Sequence, residues 1–148
     1  MAIAVSENTF ELQIVSAEGT IFSGPAHALA ISGASGELGI RPGHSPLISN
    51  VKPGIASFVT NLKQEPTILY ISGGMLEVQP DTVMVLADTA LHGEEIDQAR
   101  AEGARQMALD NINHSHVGSA SFEQAQLELS KALAQLRAVE LVGRFKRH

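Results

Sequence analysis

All six prolines of this 148-residue chain fall at or before position 80, and none follows. Proline donates no backbone hydrogen bond and is confined to turns, bulges and strand edges, so a stretch punctuated this way cannot form long helices. From residue 10 to about residue 90 the apolar runs are correspondingly short, covering 10–14, 28–31, 55–59, 67–71 and 82–86. Turn-forming residues follow each run within a few positions, which predicts a small antiparallel sandwich or barrel.

After His92 and Gly93 the texture changes, and alanine becomes the commonest residue. Two helices are expected there. The first begins near Glu94, where Glu94, Glu95 and Asp97 suit the positive end of the helix dipole, and runs to about Asn111. Its apolar face is expected to be Ile96, Ala99, Ala104, Met107 and Ala108. A polar connection over 111–119 leads to Ser121 and Gln124, which have the spacing of a capping box. In the second helix Phe122, Ala125, Leu129, Ala132, Leu133, Leu136 and Val139 form the main apolar stripe. Leu127, Ala134, Ala138 and Leu141 widen it beyond what one partner helix of alanines would cover. Either the stripe packs on the sandwich, or the helix has two alternative partners. The expected domains are 1–91 and 92–148.

Composition excludes several functions. The chain has no cysteine, so disulfide frameworks and thiolate zinc sites are ruled out, and a reducing compartment is the simpler expectation. The N-terminal sequence has no basic segment followed by an apolar run, which argues against a secretory signal. No segment approaches the ~18 consecutive apolar residues of a membrane span, so membrane association is expected to run through a protein partner. A net charge of −6 argues against nucleic-acid binding. The charge is uneven: residues 1–91 carry three basic side chains against eight acids, whereas residues 121–148 carry five against three.

The stretch 36–47, GELGIRPGHSPL, packs three glycines and two prolines between apolar runs without a nucleophile or a phosphate-loop lysine. It reads as a surface turn suited to docking. A second glycine turn, SGGMLEV at 72–78, reads the same way, with Gly73 and Gly74 meeting a backbone need. Neither leads into Gly-Lys-Ser/Thr, so neither is a phosphate cradle. His114 and His116 lack a third ligand fixed in sequence and read as loop residues. Ser45, His44 and Asp88 do not make a credible nucleophile–base set, because adjacent serine and histidine on a turn are badly oriented for it.

Taken together, VSAE at 15–18, residues 36–47, SGGMLEVQP at 72–80, VLADTA at 85–90, IDQARA at 96–101 and LAQLR at 133–137 resemble the epsilon subunit of bacterial rotary ATP synthases over nearly the whole chain. The resemblance implies a ten-stranded antiparallel β-sandwich followed by a two-helix antiparallel hairpin. It also implies a noncatalytic rotor subunit of the proton-driven enzyme, attached peripherally at the cytoplasmic face of the bacterial inner membrane. The implied partners are the gamma subunit, the polar loops of the c-ring and, when the hairpin extends, the alpha and beta subunits, whose ATP hydrolysis it blocks. Glu37, Arg41 and His44 are then expected on the side facing the c-ring, and Arg137, Arg144, Lys146 and Arg147 against the catalytic head. Ile96, Asp97, Arg100 and Ala101 match the family's ATP-sensing motif, although the second-helix positions that would assist are Lys131 and the uncharged Gln135. No cofactor is required, and any ATP site is expected to be weak. Without the resemblance, Asp97 and Arg100 are an ordinary i,i+3 ion pair. The alternative function is a freestanding, nucleotide-responsive binding protein.

Overall fold

The structure, a computed structural model, describes residues 8–146. Nine strands come first: β1 (Phe10–Ser16), β2 (Gly19–Ala26), β3 (Ala28–Gly33), β4 (Gly36–Ile40), β5 (Leu47–Val59), β6 (Thr67–Ile71), β7 (Gly74–Val78), β8 (Thr82–Ala87) and β9 (Ala90–His92). A 3₁₀ turn (Gly93–Glu95) leads to α1 (Gln98–Asn113) and α2 (Ala120–Lys146).

The strands are ordered β2-β1-β8-β7-β5-β3-β4, with β6 joined to β5 and β9 to β6. Strand β5 is the corner of the sandwich. Its first half, through Val51, pairs with β7, and its second half, from Gly54, pairs with β6. The switch falls at Lys52 and Pro53, where proline has no N–H to give a ladder. Strand β5 stays continuous through this corner, and nine strands are present among the described residues where ten were expected. A second departure is that β1 pairs with β8 in parallel, with Leu12 opposite Val83 and Ile14 opposite Val85.

Alternation builds the core. Phe10, Leu12 and Ile14 of β1, Leu76 and Val78 of β7, and Val83 and Val85 of β8 all point inward, while their neighbours face out. Strand β6 breaks this rule, since Ile68, Leu69, Tyr70 and Ile71 are all buried. Leu69 and Ile71 belong to the sandwich interior, whereas Ile68 and Tyr70 pack under Ala134 and Ala138 of α2. A strand covered on both faces reads as a continuous apolar run, and the hairpin supplies the second cover.

The two glycine stretches are partly strand. Residues 36–40 form β4 and residues 74–78 form β7, leaving the turns at 34–35, 41–44 and 72–73. Gly73 and Gly74 take φ of +136° and +149°, and a β-carbon on Gly74 would collide with the Leu86 carbonyl oxygen. These glycines therefore meet a backbone need, as expected.

Both helix starts differ from expectation. Glu94 and Glu95 lie in the 3₁₀ turn, where the Glu95 carboxylate accepts the His92 N–H at 2.9 Å. Helix α1 begins after Asp97, whose carboxylate caps it by accepting the Arg100 backbone N–H at 3.1 Å. Ser119, rather than Ser121, caps α2, its hydroxyl accepting from the Phe122 N–H at 3.1 Å.

Candidate functional site

Helix α2 carries two apolar seams on different faces. Phe122, Ala125, Leu129, Ala132, Leu136 and Val139 alternate in three- and four-residue steps; all are buried or half-buried. This seam is turned to α1, which meets it with Ala101, Arg105, Ala108 and Ile112. Ala101 with Ala132, and Ala108 with Ala125, are equidistant from the interhelix turn, so small side chains oppose one another along an antiparallel pair. Arg105 lies on the seam by its aliphatic stem while its guanidinium pairs with Glu102 at 2.5 Å. The face expected for α1 is thus rotated: Ala99, Ala104 and Met107 are exposed, because α2 covers the Ala101–Ala108 line instead.

The second seam of α2 sits on the sheet. Ala134 and Ala138 press on Ile68 and Tyr70, surrounded by Ile55, Leu91, Ile96, Leu141, Val142 and Phe145. The main stripe therefore does not lie on the sandwich, and its Leu133 is exposed at the groove beside the sheet; of the residues that widened it, Ala134, Ala138 and Leu141 do lie there, whereas Leu127 is exposed. Gly93 makes the approach possible, since a β-carbon there would fall 2.5 Å from a Val142 methyl and 3.3 Å from the Ala138 carbonyl oxygen. One polar group is buried in this seat, the Tyr70 hydroxyl. Burial pushes its pKa above the ordinary phenol value, a hydrogen bond with Gln135 opposes that, and the Glu128 carboxylate adds to it.

Two of the four residues of the ATP-sensing motif are engaged in this packing. Ile96 is in the seat and Ala101 is buried against α2. Asp97 caps α1 through a backbone amide, so it forms no ion pair with the Arg100 guanidinium, which is exposed. On α2, Lys131 lies 3.8 Å from Glu128, and Gln135 is half-buried and acts on the Tyr70 hydroxyl.

Glu37, Arg41 and His44 do not share one end of the sandwich. Glu37 lies near the start of β4, on a groove of about 630 Å³ between the sheet and α2 that also includes Ser32, Leu133 and Arg137. Arg41 and His44 follow the other end of β4, in a turn fastened to the neighbouring β7–β8 turn by the Gly43 N–H to Pro80 carbonyl bond of 2.8 Å. An extended strand rises about 3.3 Å per residue, so four residues put Glu37 and Arg41 about 13 Å apart. The His44 ring bonds the Ser45 carbonyl at 2.8 Å, a loop-satisfying role. Glu37 shares its end with Glu18 and Asp88, so His44 and Asp88 lie at opposite ends and the serine–histidine–aspartate set is not assembled.

On α2, Glu140 lies between two arginines, 2.6 Å from Arg137 and 3.5 Å from Arg144, all of them exposed. Arg147 and the Lys146 side chain lie outside the described residues. His114 ends α1 by bonding the Asp110 carbonyl at 2.7 Å, and no metal-binding cluster occurs among the described residues.

One surface was missed in the sequence. Val15, Leu86 and Met75 are neighbours across β1, β8 and β7, and Met75 and Leu86 are 45% and 48% exposed. Ile48 and Met84 flank this row on either side of Glu77. The signal was present as an outward apolar residue in each of several strands, legible only once the register is known.

Comparison with known proteins accounts for both domains. Residues 9–93 match the family model for the beta-sandwich domain of the ATP synthase delta/epsilon chain, and residues 94–140 match that for its long alpha-helix domain. The chain is 64% identical over 147 residues to ATP synthase epsilon chain 2 of Photobacterium profundum, covering 99% of each. Its fold is similar to a chain in the Euglena gracilis mitochondrial ATP synthase, with TM-score 0.78, 22% identity, and coverage of 90% of this chain and 82% of that one. A chain in the Tetrahymena thermophila mitochondrial ATP synthase central stalk and c-ring also matches, with TM-score 0.61, 12% identity, and coverage of 87% and 95%. With both domains and nearly the full length accounted for, the protein belongs to the ATP synthase delta/epsilon family, as a noncatalytic subunit of the central stalk.

Proposed function

We propose that the sandwich couples c-ring rotation to the catalytic head and that the hairpin is a detachable inhibitor of ATP hydrolysis. The observation that carries this reading is the division of α2 into two seams. Its contact with α1 is independent of its seat on the sheet, so the hairpin can leave the sandwich without coming apart. The seat engages one face of α2, where Ala134 and Ala138 with Leu141, Val142 and Phe145 meet the sheet, so leaving it exposes a single continuous apolar patch. The row Val15, Leu86 and Met75 docks on the gamma subunit, since an apolar face of this kind marks a protein contact. Glu37, at the same end of the strands as Glu18 and Asp88, faces the c-ring loops, and Arg41 and His44 at the other end do not. A single exposed carboxylate contributes only about 0–1 kcal/mol, so torque is carried by the whole footprint.

In the extended state Arg137 and Arg144 leave Glu140 for acidic surface in the head, and Lys146 and Arg147 extend the same basic strip. ATP binding is weak, because Asp97, Ala101, Lys131 and Gln135 already have partners. Isothermal titration should give a millimolar constant, and micromolar affinity would contradict this. Among the described residues no helix is long and apolar enough to cross a membrane; attachment at the cytoplasmic face of the inner membrane runs through the partners. The decisive test is truncation after Gly93 in the assembled enzyme. Hydrolysis should rise while synthesis stays coupled to ion flow. Unchanged hydrolysis removes the inhibitory role.

A further inference from the structure

A cavity of about 520 Å³ opens where the sandwich meets the C-terminal end of α2. Pro66 and Ile68 form its apolar floor on the sandwich side, and Val142 and Phe145 close it from the helix. Glu65 and Glu94 stand on its exposed rim, together with Glu95, whose carboxylate accepts the N–H of His92, another lining residue. None of the four residues of the ATP-sensing motif lines it.

We propose that this cavity binds a small amphipathic cation, an ammonium or guanidinium group on a short aromatic or branched hydrocarbon body. The volume falls within the usual range for small-molecule sites. The apolar walls select the body, and the rim selects the charge and disfavours nucleotides and other anions. Both domains supply walls, so the cavity exists only while α2 is seated. A molecule filling it has affinity for the seated form alone and draws the population toward that form. This regulatory consequence rests on the detachable-hairpin reading; the binding site itself does not.

The test uses the full-length chain and phenethylammonium as the probe, followed by amide NMR. Saturable shifts are expected at Ile68, Gly93 and Val142, with a dissociation constant on the order of a millimolar. The neutral isostere 2-phenylethanol and the double variant Glu65→Gln/Glu94→Gln should each bind about three- to tenfold more weakly, and added salt should erode the difference. Absence of saturable shifts at these amides overturns the site. Equal binding of the neutral isostere overturns the charge selection. In the assembled enzyme, the probe should raise hydrolysis in the parent and leave the chain truncated after Gly93 unaffected. Saturable binding with no change in hydrolysis keeps the site and rejects the detachable hairpin.

Discussion

Tyr70 concentrates the energetics of the seat in one side chain. It is 2% exposed, and Gln135 and Glu128 are the polar side chains that act on its hydroxyl. Tyr70→Phe removes the hydroxyl's polar interaction with Gln135 and should weaken seating by at most about 1 kcal/mol, seen as faster hydrogen exchange in α2 with the β1–β8 core unchanged. The pH dependence follows from the raised phenol pKa. The folded chain holds this proton more tightly than the unfolded chain, so the stabilisation is complete below about pH 10 and is lost as pH rises through the folded value. Urea titrations across this range should show an alkaline loss of stability that Tyr70→Phe diminishes. Gly74 acts on the sandwich instead. A methyl there meets the Leu86 carbonyl in a backbone conformation that side chains rarely adopt, so Gly74→Ala should lower the sandwich's stability by about 1–3 kcal/mol in denaturant unfolding.

At the scale of elements, α2 is where sequence periodicity was most informative and also most ambiguous. The heptad-like steps from Phe122 to Val139 were legible, as was the excess width contributed by Ala134, Ala138 and Leu141. Which seam met which partner was not, because alanine and leucine suit helix and sheet neighbours alike. The distinction is testable. Ala138→Leu should overfill the seat and release the hairpin as a unit, whereas Ala132→Leu should loosen the α1–α2 contact; cysteine pairs introduced into this cysteine-free chain for spin-label distances would separate the two outcomes. The caps show how local hydrogen bonding refines a boundary. Ser119→Ala should destabilise α2 by about 1 kcal/mol, and Ser121→Ala by much less, in thermal unfolding.

For the whole molecule, the prediction with the widest reach concerns the bare face of the sandwich. Met75→Glu combined with Leu86→Glu places charge where the gamma contact is proposed, and should abolish copurification with the stalk while the isolated chain keeps its fold, checked by circular dichroism. The division near residue 92, the β-then-α order and the hairpin were all legible in the amino-acid sequence, since proline, glycine and apolar spacing act over a few residues and need no knowledge of distant partners. The doubly buried strand β6, the corner in β5, the parallel β1–β8 pair and the separation of Glu37 from His44 were decided by tertiary structure. Each depends on which face of one element meets another, and side chains distant in sequence acquire that relation only when the sheet closes and α2 comes to rest on it.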